Sequence, residues 1–197
     1  MPAVMALLLA ITVLYGGCEW WQGRPVNRPP GVLVSAEPEQ MEVNNPAPLK
    51  KSGYDIKPLA RYEISARVLS KESYRWDAGA DLVPVDVAVG WGRMSDTAVL
   101  NEMEIWQSGR WYQWRTRTLP IPVEEVTNHS ANMHLIAADK YVAKKISSRR
   151  DGQVVQMRGY LVEAKRGDGF TWTSSLTRTD SGNGACELMW VEDIAVE

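Results

Sequence analysis

The sequence predicts an α+β, β-rich fold: a small antiparallel sheet or partly open barrel with one or two short helices, preceded by an N-terminal membrane helix. Three observations carry this. The runs Arg61 to Val68 and Val83 to Trp91 alternate apolar and polar residues with period two, the mark of strands with two unlike faces. One amphipathic helical pattern, from Asp139 to about Ser148, separates strand-like runs on either side of it. An uncharged apolar run extends from Pro2 to Tyr15.

The chain has 197 residues, 45% hydrophobic and 23% charged, which suits one folded domain and argues against a disordered or multispanning protein. The net charge of -2 provides no field for a polyanion, so nucleic acid is not an expected partner. Lys140, Lys144, Lys145, Arg149 and Arg150 form the strongest basic cluster, and they read as the solvated, cation-favouring end of a helix. Nine Trp and seven Tyr stand against the single Phe170. That bias fits either contact surfaces or a sheet core that uses Trp as its large residue.

Residues 1–21 read as a membrane anchor or signal segment. Counted through Trp21 the stretch is about 20 residues, enough for a helix to cross a bilayer with Trp20 and Trp21 at the interface. No basic residue precedes it, as a signal peptide would require, and Arg24 and Arg28 follow it, which by charge alone favours a cytoplasmic domain. Leu14 to Cys18 resembles a lipoprotein lipobox, with Tyr15 where an aliphatic residue belongs. Cys18 and Cys186 are the only cysteines, too few for a disulfide framework or a Cys-rich metal site.

Residues 22–52 carry six prolines, Pro25 to Pro48, and read as an extended spacer that holds the domain off the membrane. The domain itself occupies 53–197. In the first strand Tyr62, Ile64, Ala66 and Val68 share a face; in the second Val83, Val85, Val87, Val89 and Trp91 do, with Asp86 opposite. Glu104 to Gln107 and Arg110 to Trp114 form an aromatic hairpin turning at Ser108-Gly109. Pro122 opens a short helix through Val126, and Asp139 caps the longer one, which buries Val142 and Ile146. Strand-like runs follow over Val154 to Glu163, Phe170 to Thr177 and Glu187 to Val196. The segment Gly152 to Val162, with Gly159 at its centre, resembles the opening strand of OB-type barrels, so an OB-like partly open barrel stands beside a small antiparallel sheet as the form expected.

Polar, chemistry-bearing residues concentrate in two places. Asn128 to Ile136 holds both histidines between two elements, and Ser174 to Asp180 is followed by Ala185-Cys186-Glu187. His134, Ser175 and Cys186 are the candidates for covalent catalysis, as base and nucleophiles. His129, Asn132, His134, Ser174, Ser175, Arg178 and Asp180 are the candidates for binding, with Arg178 suited to an anionic group. His129 and His134 are five residues apart, which does not place them on one helix face for a metal, and no metal or other cofactor is expected. The plainer alternative is that these side chains tie loops together while Cys186 packs as a small hydrophobe.

These two segments, with Leu82 to Asp86 and Trp91-Gly92, resemble a set of bacterial membrane-anchored or exported proteins over roughly Tyr54 to Val191. The resemblance implies a periplasmic domain on a single-pass anchor, against the direction suggested by Arg24 and Arg28. It carries no activity. The expected function is a non-catalytic binding or assembly domain, an accessory subunit contacting a protein partner in a membrane complex. An envelope hydrolase using the His/Ser/Cys cluster, or a small anionic-ligand or metal sensor, is the alternative.

Overall fold

The computed structural model describes residues 24–177 and 185–197. Its strands are β1 (Glu39–Glu42), β2 (Leu49–Lys51), β3 (Tyr54–Ser73), β4 (Val85–Gly90), β5 (Met103–Ser108), β6 (Trp111–Thr116), β7 (Ser130–Ala137), β8 (Val154–Arg166), β9 (Thr171–Thr173) and β10 (Glu187–Val196). A 3-10 turn (Gly92–Ser95) and three short helices, α1 (Thr97–Leu100), α2 (Val123–Asn128) and α3 (Lys140–Ser147), complete it. The fold is α+β and β-rich, with one helix more than expected. The segment proposed as an anchor lies outside the described residues, and among those described no helix is long and apolar enough to cross a membrane.

Five strands close into a ring in the order β3-β4-β7-β10-β8 and back to β3. Four of its pairings are antiparallel, but β7 and β10 run parallel, so the sheet is mixed rather than purely antiparallel. The parallel pair arises because α3 and then β8 intervene, and α3 carries the chain back across the end of the ring, with Val142 and Ile146 seated in the core. Asp139 caps α3 as expected, accepting from the Val142 amide at 2.8 Å. Two long strands make the frame. Along one edge β3 pairs with β8; along the other it meets β2, β1 and β4 in succession.

The segment expected to open the barrel is its fourth strand, β8. Gly159 is essential there for another reason than position: a Cβ on it would fall 1.8 Å from the Trp190 carbonyl oxygen of β10. The strands approach so closely beside an irregularity in β10 between Val191 and Asp193. The ring is filled by alternate residues, among them Tyr62, Ile64, Ala66 and Val68 of β3 and Val85, Val87 and Val89 of β4, as the period-two pattern requires.

Two further clusters matter for the site. Leu82 and Val83, from the β3–β4 loop, pack with Ile136, Leu188 and Trp190. These last three alternate with core residues along β7 and β10, so they lie on the outer side of the ring. Between β4 and β7 an insertion with its own small core, Met94, Val99, Met103, Ile121 and Val126, carries the β5–β6 hairpin. Gly109 and Arg110 form its two-residue turn with φ of +60° and +71°, the left-handed geometry of a type I′ turn.

The Pro-rich stretch does not stand off the domain. Its extended backbone is what proline demands, but it contributes β1 and β2 and lays Val34 into the core. The Ser95 hydroxyl accepts from the amides of Leu33 and Val34 at 3.1 Å each, and Asp96 accepts from Gly31 at 2.8 Å. These bonds fasten the strap to the insertion.

Candidate functional site

The site forms on the outer face of β4 and β7. Cross-strand pairing places Asp86 opposite His134 and Ala88 opposite Asn132. The segment around the histidines, expected between elements, is therefore a central strand of the ring. Ala131, Met133, Leu135 and Ala137 point inward, which turns Asn132 and His134 outward together. Outward does not mean solvated here: the Asp86 side chain is fully buried and that of His134 is 3% exposed.

What covers them is the tip of the β5–β6 hairpin. Arg110 Nη1 donates to Asp86 Oδ1 and to the Val83 carbonyl, each at 2.9 Å. Its Nη2 donates to both oxygens of Asp77 at 2.8 and 2.9 Å, and Nε donates to Asp77 Oδ2 at 3.2 Å. The guanidinium lies 3.8 Å from the Tyr74 ring centroid and 5.6 Å from that of Trp172. Every N–H of the fork thus has an acceptor. Burial raises Asp77, but the hydrogen bonds from Arg110 and the Gly79 amide outweigh it and hold the carboxyl below its ordinary range. The left-handed backbone of the turn aims Arg110 back onto the ring, and Asn132 Nδ2 donates to its carbonyl at 2.9 Å.

His134 Nδ1 lies 2.9 Å from Asp86 Oδ1, and its ring sits 4.7 Å from Trp172 at a 55° tilt. The second carboxylate oxygen, Asp86 Oδ2, is buried with no hydrogen bond among the described residues. Gly79 lies flat against Trp172, where a Cβ would come within 2.7 Å of the indole. Three segments distant in sequence therefore meet here: the β3–β4 loop, the hairpin tip and β9. Beside them opens a cleft of about 420 Å³ lined by Arg110, Trp111, His134, Trp172 and Cys186, with Thr171 and Thr173 at the rim. Trp76, one residue before Asp77, is 95% exposed.

Of the sequence candidates, the structure brings His134, Asn132 and Cys186 together, with Asn132 Nδ2 3.6 Å from Cys186 Sγ. His129 lies apart. It faces Glu37 at 3.2 Å, contacts the Glu125 carbonyl and stands edge-on to Trp91. Ser174 and Ser175 serve the chain locally. Ser174 accepts from the Leu188 amide at 3.1 Å, and Ser175 both accepts from the Thr177 amide and donates to its carbonyl. Arg178 and Asp180 lie outside the described residues. Among the described residues, no three His, Cys, Asp or Glu side chains are grouped to hold a metal ion.

Sequence reasoning missed Asp77, Arg110 and Trp172 as site residues, and noted Asp86 only as the residue opposite an apolar face. The available signal was Asp86 itself, one acid inside the otherwise apolar run Val83 to Trp91. A carboxylate there needs a buried cation, and the partner could not be named without the fold. Comparison with protein-family models, with curated proteins and with solved structures finds no match to this chain.

Proposed function

We propose that the chain is a non-catalytic binding and assembly domain, held at a membrane by residues 1–21, whose contact surface is the aromatic region around Arg110. We read the closed ring, with its single parallel pairing, as an OB-like barrel, a fold that binds its ligands on the face of the second and third barrel strands and on the flanking loops. In this chain that face is β4 and β7. The observation that carries the proposal is the Arg110 clamp there: it ties the hairpin tip to the β3–β4 loop and the ring, and Trp76 and Trp111, next in sequence to Asp77 and Arg110, are exposed beside it. Exposed indoles beside a fixed scaffold are the residue type that anchors protein partners.

The charge balance favours a protein surface over a small anion. Arg110 is answered by two carboxylates and has no donor left. The test is capture of partners by the full-length chain in mild detergent, comparing wild type with Trp76→Ala/Trp111→Ala. A stoichiometric partner lost from the double variant supports the proposal; recovery of the wild-type chain alone overturns it.

A second reading, covalent chemistry, draws on one feature: an imidazole whose Nδ1 lies 2.9 Å from Asp86 Oδ1, in the same cleft as the Cys186 thiol. The serine of the expected cluster is engaged in its own turn, which leaves Cys186 as the nucleophile to test in this reading.

A further inference from the structure

The strap fixes where the domain stands relative to any surface that residues 1–21 enter. The Val26 amide donates to the Asp151 carbonyl at 2.7 Å, and a Cβ on Gly152 would fall 2.1 Å from the Val26 carbonyl oxygen. The strap and the entry to β8 are thus in backbone contact. Val26 follows Trp21 by five residues. Extended chain spans at most about 3.6 Å per residue, so Trp21 lies within about 20 Å of the Asp151 carbonyl.

The end of α3 that leads into Asp151 is basic. Lys144 is exposed, and Arg149 and Arg150, just past the helix, are partly so. Burial lowers the Arg149 pKa first, and the neighbouring Arg150 charge lowers it further, so the two guanidiniums crowd each other. The acids in reach are engaged elsewhere. Asp193 holds Lys145 at 3.0 Å and Arg158 at 3.2 Å, Asp151 meets the charge of Lys71, Glu197 lies against Arg28 and Ser65, and Asp139 caps the far end of α3. Lys144, Arg149 and Arg150 have no ion pair among the described residues. Tyr141, 68% exposed, shares the face of Lys144 and Lys145 one turn earlier, with Lys145 Nζ 4.7 Å from its ring centroid. An exposed amphipathic ring among cations suits the headgroup layer of a membrane.

We propose that Tyr141, Lys144, Arg149 and Arg150 seat the domain on an anionic phospholipid surface, beside the point where residues 1–21 enter it. The inference rests on residues 1–21 being a membrane anchor, and it is independent of the Arg110 surface. Attraction between a cation and a charged surface fades within about 10 Å at physiological salt, so three cations on a free domain would hold it weakly. The short tether changes this, because it keeps them within reach of the headgroups. Each then strengthens the contact by about fivefold.

The experiment reconstitutes the full-length chain in phosphatidylcholine vesicles with increasing phosphatidylglycerol. Flotation with pure phosphatidylcholine vesicles in about 1 M salt reads the anchor alone, since electrostatic contacts are screened there. The thermal midpoint at low salt reads the basic surface, because a surface that binds only the folded domain raises it. Phosphatidylglycerol is expected to raise the wild-type midpoint. Lys144→Gln/Arg150→Gln weakens that response by about 25-fold in the phosphatidylglycerol required. Lys50→Gln/Lys57→Gln makes the same change in net charge near the opposite end of β3 and leaves the response intact. A chain that does not float, yet responds to phosphatidylglycerol and loses the response in the first variant, lacks the anchor but keeps the basic surface. No rise with phosphatidylglycerol, or equal weakening in both double variants, overturns the surface whether or not the chain floats.

Discussion

At the scale of single residues, Asp86 and Arg110 decide the architecture of the candidate site. Asp86 is fully buried between a guanidinium and an imidazole, so its removal strands both partners in a poorly hydrated space. Asp86→Ala is expected to cost about 3 to 5 kcal/mol, the usual range for breaking a buried ion pair. Asp77 makes more bonds to the same arginine, yet its side chain is 38% exposed, and water replaces what it provides. Asp77→Ala should therefore cost within about 1 kcal/mol. Urea unfolding of the two variants measures the difference; equal losses would place the clamp's strength in Asp77 and contradict this ranking. The number of hydrogen bonds does not decide which acid matters; burial does.

At the scale of elements, the ring depends on how closely β8 and β10 approach. The Trp190 carbonyl occupies the space that a Cβ at position 159 would need, and a backbone atom cannot rotate away as a side-chain tip can. Gly159→Ala is expected to destabilise by about 3 kcal/mol, at the upper end of overpacking costs, and to weaken amide protection along both strands. Hydrogen exchange at Met157 to Leu161 and Met189 to Ile194 reads this directly. The hairpin obeys a different logic. Its strands were legible as aromatic runs flanking Ser108-Gly109, because turn chemistry is local. Its destination was not, because nothing in those runs says that the turn lands on β4.

At the scale of the molecule, the strap and the ring are one packed body. Val34 lies in the main core, Glu37 accepts from the Trp91 indole at 2.8 Å, and the Val26 amide donates to the Asp151 carbonyl at 2.7 Å. A chain beginning at residue 53 is accordingly expected to unfold at a lower urea concentration than the full chain, with the loss followed by tryptophan fluorescence. An unchanged midpoint would show that residues 24–52 act as a spacer after all. The proline content was read as an extended spacer, but extended chain serves equally well as a free spacer or as an edge strand. Only the presence of partners separates the two.

The sequence by itself determined the local features: the alternation in β3 and β4, the glycine turn of the hairpin, the cap at Asp139 and the buried pair Val142 and Ile146. Each follows from residues within a few positions of one another, where periodicity and backbone geometry act. It also pointed to His134, Asn132 and Cys186. Tertiary structure alone decided that β7 and β10 run parallel, that His129 lies apart from His134, and that Arg110 completes the buried Asp86. These depend on pairings between positions tens of residues apart, such as Asp86 with Arg110 and Glu187 with Met133. Ring closure selects them, by burying an apolar face that any of several strand orders could have covered.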